Sequence, residues 1–122
     1  MAKMLSEHFS EDEFRCHDGQ MHTINPSLLG RLEKLRTLAN KSIHVNCGYR
    51  DEVYNKKVGG APKSQHLLGN AADIVISGFT PKQVYDMALK VGFTGVGLYD
   101  TFTHVDVRPV KKVVTWDLRT KK

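Results

Sequence analysis

Between residues 26 and 40 the apolar positions recur at helical spacing, as Leu28, Leu29, Leu32, Leu35, Leu38 and Ala39. Asn25 stands where an N-cap would, and Pro26 suits the first helical position, where a missing N–H costs nothing. The leucine stripe predicts a core-facing helix, with Arg31, Lys34 and Arg36 on a solvated basic face. A second helix is predicted after Thr80 and Pro81, burying Val84, Tyr85, Ala88, Leu89 and Val91. It ends at Gly92, which readily takes the left-handed conformation of a helix C-terminus. Elsewhere the pattern changes to alternation or short β-branched runs. Residues 43–47, 73–77, 95–99, 102–108 and 113–116 read as strands, with 95–99 and 102–108 joined as a hairpin at Asp100 and Thr101. Near the start, Ser10 and Glu13 have the spacing of a capping box, and Phe9 and Phe14 turn inward. Residues 51–63 read as a short helical turn and then a loop around Gly59 and Gly60, and Asp18-Gly19 marks a turn. The pattern predicts an α+β fold, a single small antiparallel sheet packed against two main helices.

Composition changes this picture little. A chain of 122 residues that is 40% hydrophobic and 25% charged reads as one domain, residues 1–122, with a polar tail at 117–122. No run of about 18 apolar residues is present, so neither a membrane span nor a membrane partner is expected. Met1 to His8 has no apolar segment of the signal-peptide kind, which predicts synthesis in the cytoplasm without a visible export signal. The net charge of +5 admits nucleic acid in principle, but the basic residues are scattered and no nucleic-acid motif accompanies them. A polyanionic cell wall would attract the same charge through the same long-range field. Cys16 and Cys47 are isolated rather than paired as C-x-x-C, so two reduced thiols are expected and no structural zinc site. His17 and His22 read as solvated loop histidines and His44 as structural.

The candidate chemistry lies in Ser64-Gln65-His66-Leu67-Leu68-Gly69-Asn70-Ala71-Ala72-Asp73. A histidine on a loop and a carboxylate at the start of a β-branched run are good ligands for a borderline ion such as zinc. Gly69 lets the chain reverse between them, and Ala71 and Ala72 leave room for close approach. A third ligand is needed, and the alternating segment Thr103-His104-Val105-Asp106-Val107-Arg108 offers His104. Ser64 has no G-x-S-x-G surroundings and does not read as a nucleophile.

These residues carry a resemblance. S-x-H-x-x-G-x-A-x-D stands here as Ser64, His66, Gly69, Ala71 and Asp73, and G-x-G-x-Y…H-x-D as Gly95, Gly97, Tyr99, His104 and Asp106. In both motifs, and over residues 5–116, the chain resembles the zinc D-Ala-D-Ala carboxypeptidase family of peptidoglycan peptidases, whose fold is shared with the hedgehog domain. The short phage-lysin and murein-peptidase members are the nearest in form. The resemblance implies one zinc ion held by His66, Asp73 and His104, and a substrate-binding role for Arg50 in the turn Gly48-Tyr49-Arg50. Arginine suits that role, since its planar fork can hold a carboxylate or a carbonyl gaining negative charge. Ser64 and Tyr99 are implied as further substrate contacts.

The chain departs from the family at one position. Many members place an acidic residue three positions before the last histidine ligand, where this chain has Thr101. Strand periodicity puts Asp106 on the same face as His104, as general base or as a partner orienting a ligand, and Asp100 stands as the substitute base. The function implied is a monomeric zinc metallopeptidase acting on peptidoglycan stem peptides at the cell wall, as carboxypeptidase or endopeptidase, possessed by a phage or prophage lysin. A zinc-bearing binding module without catalysis and a basic nucleic-acid-binding domain are the alternatives.

Overall fold

A computed structural model describes residues 3–16, 19, 23–60 and 64–120. In chain order it contains α1 (Glu11–Phe14), α2 (Pro26–Ala39), β1 (Ile43–Cys47), α3 (Glu52–Lys57), a short 3-10 helix (Gln65–Leu68), β2 (Ala71–Ile76), α4 (Pro81–Val91), β3 (Gly95–Leu98), β4 (Thr103–Asp106) and β5 (Val114–Asp117). The helix ends follow from their capping residues. Asn25 accepts the Ser27 N–H at 2.8 Å to open α2, and Thr80 accepts the Gln83 N–H at 3.2 Å to open α4. The last turns close on Asn40 and Gly92, both left-handed.

The five strands form one sheet in the order β1-β2-β4-β3-β5. All pairs are antiparallel except the last, where β5 runs parallel to β3, so the sheet is mixed at one edge rather than antiparallel throughout. Both sides of β4 are already taken, by β2 and β3. The chain leaving β4 therefore crosses β3 to reach its free edge. Since β3 opposes β4, a segment that reverses after β4 arrives parallel to β3.

Alternation sorts the two faces of the sheet. Ile43, Val45, Ala72, Ile74, Ile76, Val96 and Val105 face the helices and join Leu28, Leu32, Leu35, Val84, Ala88 and Phe93 in the core. Burying such side chains contributes roughly 1.5–3 kcal/mol each. Leu38 and Leu89, expected in the core, are 49% and 37% exposed on the flanks of their helices. Arg31, expected on a solvated face, donates to the Gly92 carbonyl at 2.9 Å and ties α2 to the end of α4. Cys16 and Cys47 are not bridged. The opposite face of the sheet carries the chemistry.

Candidate active site

One rung crosses the whole sheet on that open face. Cys47 pairs with Asp73, Asp73 with His104, His104 with Gly97, and Gly97 with Trp116. A β-bulge between Val45 and Cys47 puts Cys47, rather than Asn46, opposite Asp73. Asp73 lies in the middle of β2, which begins two residues earlier than its apolar run suggests. His66 enters from the short 3-10 helix rather than from an irregular loop. Ser64 caps that helix, accepting the His66 N–H at 3.2 Å, and Gly69 ends it in the left-handed conformation. The loop is anchored again where Asn25 Nδ2 donates to Asn70 Oδ1 at 3.0 Å.

His66, Asp73 and His104, the residues read from the sequence as ligands, meet here. Asp73 Oδ1 lies 3.3 Å from His66 Nε2 and 3.0 Å from His104 Nδ1. The other nitrogen of each ring has its own partner. His66 Nδ1 is 2.7 Å from the Gly48 carbonyl, and His104 Nε2 is 2.7 Å from Asp106 Oδ2. A donor atom each from Cys47, His66 and Asp73 also falls within 4.8 Å of the other two. Cys47 was not foreseen at the site, because only the bulge turns it there.

His66, Asp73 and His104 are nearly inaccessible, with 3%, 9% and 7% of their surfaces exposed. Burial opposes charge on His66, but the hydrogen bonds and charges of Asp73 and Cys47 outweigh it and push the imidazole up to about 10. Burial likewise raises Asp73, yet the two imidazoles outweigh it and hold the carboxyl well below its usual range. A buried carboxylate between two imidazoles thus favours positive charge around it. Nitrogen and oxygen donors, with a thiol beside them, fit a borderline divalent ion such as zinc.

A cleft of about 580 Å³ opens over this group, lined among others by Arg50, Gly60, Ser64, Tyr99, Phe102, Arg108 and Trp116. Arg50 does not pair with Asp51, which instead accepts the Tyr54 N–H at 2.7 Å to cap α3. Its Nη1 donates to Asn55 Oδ1 at 2.8 Å. Tyr99 stacks on Phe102 at 4.4 Å between centroids, and its hydroxyl accepts the Trp116 indole N–H at 3.0 Å. Asn55, Arg108 and Trp116 were not singled out from the sequence as site residues. Strand alternation from Val114 to Trp116 is the signal that could have found the last of them.

Asp106 and Asp100 are both engaged by groups of the chain itself. Asp106 has no exposed surface and does not line the cleft. Arg108 donates to both of its oxygens, from Nε at 2.9 Å and from Nη2 at 2.6 Å. Burial raises this carboxyl, but His104 and Arg108 outweigh it and lower its basicity. Asp100 accepts the Thr120 N–H at 3.0 Å and hydroxyl at 2.7 Å, away from the cleft. His44 is exposed on the edge strand β1, outside the cleft. His17 and His22 lie outside the described residues.

The family model for peptidase M15 matches residues 7–106. The peptidoglycan L,D-endopeptidase MepK of Escherichia coli K12 is 31% identical over 120 residues, covering 91% of this chain and 63% of that protein. The Shigella flexneri protein of the same name matches to the same extent. The zinc D-Ala-D-Ala carboxypeptidase of Streptomyces albus G is 42% identical over 45 residues, covering 36% of this chain and 18% of that one. The chain thus spans less than two thirds of the length of these relatives.

Proposed function

Because the chain belongs to the peptidase M15 family, we propose that it is a zinc-dependent peptidase that hydrolyses the stem peptides of peptidoglycan at the bacterial cell wall. One observation carries the reading: His66 Nε2 and His104 Nδ1 converge on Asp73 Oδ1 beneath a cleft that Arg50 also lines. His66, Asp73 and His104 are the residues that would hold the ion. Zinc, when bound, supplies a Lewis acid that polarises a carbonyl and makes water a nucleophile near neutral pH. The names of the relatives support the substrate class, and the much longer alignment with an L,D-endopeptidase favours internal cleavage over trimming of a terminal residue.

The chain's own residues prepare the site. The Gly48 carbonyl and the Asp106 carboxylate take the outer N–H of each imidazole, which fixes the tautomer and aims the remaining nitrogen at Asp73. On this reading Asp106 orients His104, the second of the roles weighed for it, because its oxygens are already engaged by His104 and Arg108. Arg50 holds a substrate carboxylate or the carbonyl oxygen as charge develops on it. Ser64 and Tyr99, which also line the cleft, contact the substrate. We take the protein to act as a monomer.

Incubation with purified sacculi, with and without a chelator, tests this directly. Mass spectrometry should show released peptide fragments that disappear with chelator and return with added zinc. Stoichiometric zinc with no released fragment would instead identify a binding module.

A further inference from the structure

Two arginines line the cleft, and their surroundings differ. The Arg108 fork closes on the Asp106 carboxylate, so its charge is compensated within the protein. Among the described residues Arg50 has no carboxylate counter-charge. Its Nη1 donates to the Asn55 side-chain oxygen at 2.8 Å, and Nη2 lies 3.6 Å from Cys47 Sγ. Its Nε is buried with no hydrogen-bond partner among the described residues. The Arg50 backbone N–H donates to the His66 carbonyl at 3.1 Å, which couples this arginine to the ligand loop.

The partner amide is built in, not incidental. Asn55 is only 4% exposed, although it belongs to a short surface helix. The Gly60 N–H donates to the Asn55 carbonyl at 2.8 Å, bringing Gly60 against both side chains. A methyl group at Gly60 would collide with Asn55 Oδ1 and crowd Arg50 Nη1. The Gly60 backbone lies outside the left-handed region, so close approach rather than backbone conformation is what demands glycine there.

We propose that Asn55 is a positioning residue that orients the Arg50 guanidinium while leaving its positive charge uncompensated for the substrate. The proposal rests on the reading of Arg50 as the group that meets substrate. An aspartate at 55 would fill the same space and form a stronger, charge-assisted hydrogen bond. It would also neutralise the cation that the substrate is to meet. A neutral amide supplies direction without that compensation.

The test compares Asn55→Asp, Gly60→Ala and Arg50→Ala, and each of the first two combined with Arg50→Ala, all loaded with zinc. Zinc content, melting temperature and kcat/KM on a purified stem-peptide fragment are read for each. Asn55→Asp should keep its zinc and melting temperature yet lose about 10-fold or more in kcat/KM, within the range of coupling between contacting residues. Added to Arg50→Ala it should cost nothing further. Should Asn55→Asp fail to fold, Gly60→Ala carries the same comparison, since it displaces the same contact without touching either side chain's chemistry. An Asn55→Asp enzyme within twofold of the parent, or an equal loss in both Arg50 backgrounds, would overturn the inference. A fully active Arg50→Ala enzyme would instead remove the role of Arg50, and this inference with it. Absence of activity in the unmodified, zinc-loaded protein would count against the peptidase reading.

Discussion

The Trp116 indole lies 5.1 Å, centroid to centroid, from the His104 imidazole, across a strand whose intervening residue is Gly97. A side chain at 97 would occupy the space of the indole. The glycine therefore lets an edge-strand tryptophan reach over β3 and pack against His104. Gly97→Ala should cost about 1–3 kcal/mol of stability through overpacking. Trp116 is the only tryptophan in the chain, so its fluorescence reports the displacement directly. Unchanged emission and an unchanged melting temperature would exclude this packing.

The same rung shows what could be read from the sequence. His66, Asp73 and His104 were legible because motif spacing and strand alternation act locally, and the structure brings them to one carboxylate oxygen. The helix limits were legible for the same reason, since Asn25, Thr80 and Gly92 are cap residues by their own chemistry. Cys47 was not, because its facing depends on a bulge that local alternation does not announce. Gly95 and Gly97 were legible only as motif positions, and the structure shows that each makes room for a side chain from a neighbouring strand, Asp106 and Trp116. The parallel edge of β5 depends on which sheet edge was still free, a property of the assembled sheet.

Glu33 predicts a pH dependence of stability. Burial raises this carboxyl, but hydrogen bonds from the Ser6 hydroxyl and from the His8 ring and backbone outweigh it and hold the carboxyl below its ordinary value. A carboxyl depressed in the folded state stabilises it above the unfolded value, and that contribution is lost as pH falls through the folded one. Glu33→Gln should therefore lose roughly 1 kcal/mol at pH 7. The gap from the parent protein should close as pH falls below the ordinary value of 4.5. Urea denaturation at pH 7 and in acid checks it; a gap that persists unchanged in acid would refute the assignment.

The proposed ligand set of His66, Asp73 and His104 predicts joint loss of metal and activity. Alanine at His66, Asp73 or His104 removes both a donor and part of the charge that holds a cation, so stoichiometric zinc and peptidase activity should disappear together. Metal analysis after dialysis against dilute chelator measures the first, and fragment release from sacculi the second. A His104→Ala protein that kept one zinc per chain would show that another donor completes the site, with Cys47 the nearest thiol to examine.

Asp106 separates two roles for one carboxylate. A general base must reach the substrate water and keep an oxygen available to accept its proton. Asp106 is fully buried, with one oxygen shared by His104 and Arg108 and the other taken by the Arg108 side chain and backbone. Its conversion to asparagine should therefore act through His104. Asp106→Asn should bind zinc about 10–100-fold more weakly, the usual cost of losing an outer partner of a ligand histidine. At saturating zinc, turnover should recover to near that of the parent. A base would behave in the opposite way, keeping its metal and losing roughly 10²–10⁴-fold in turnover. Chelator-competition titration gives the affinity, and fragment release at saturating zinc gives the turnover. The Asp100→Asn variant serves as the comparison, since its carboxylate is tied to Thr120 and should affect neither quantity. A large turnover defect in Asp106→Asn at full zinc occupancy would return Asp106 to the role of base.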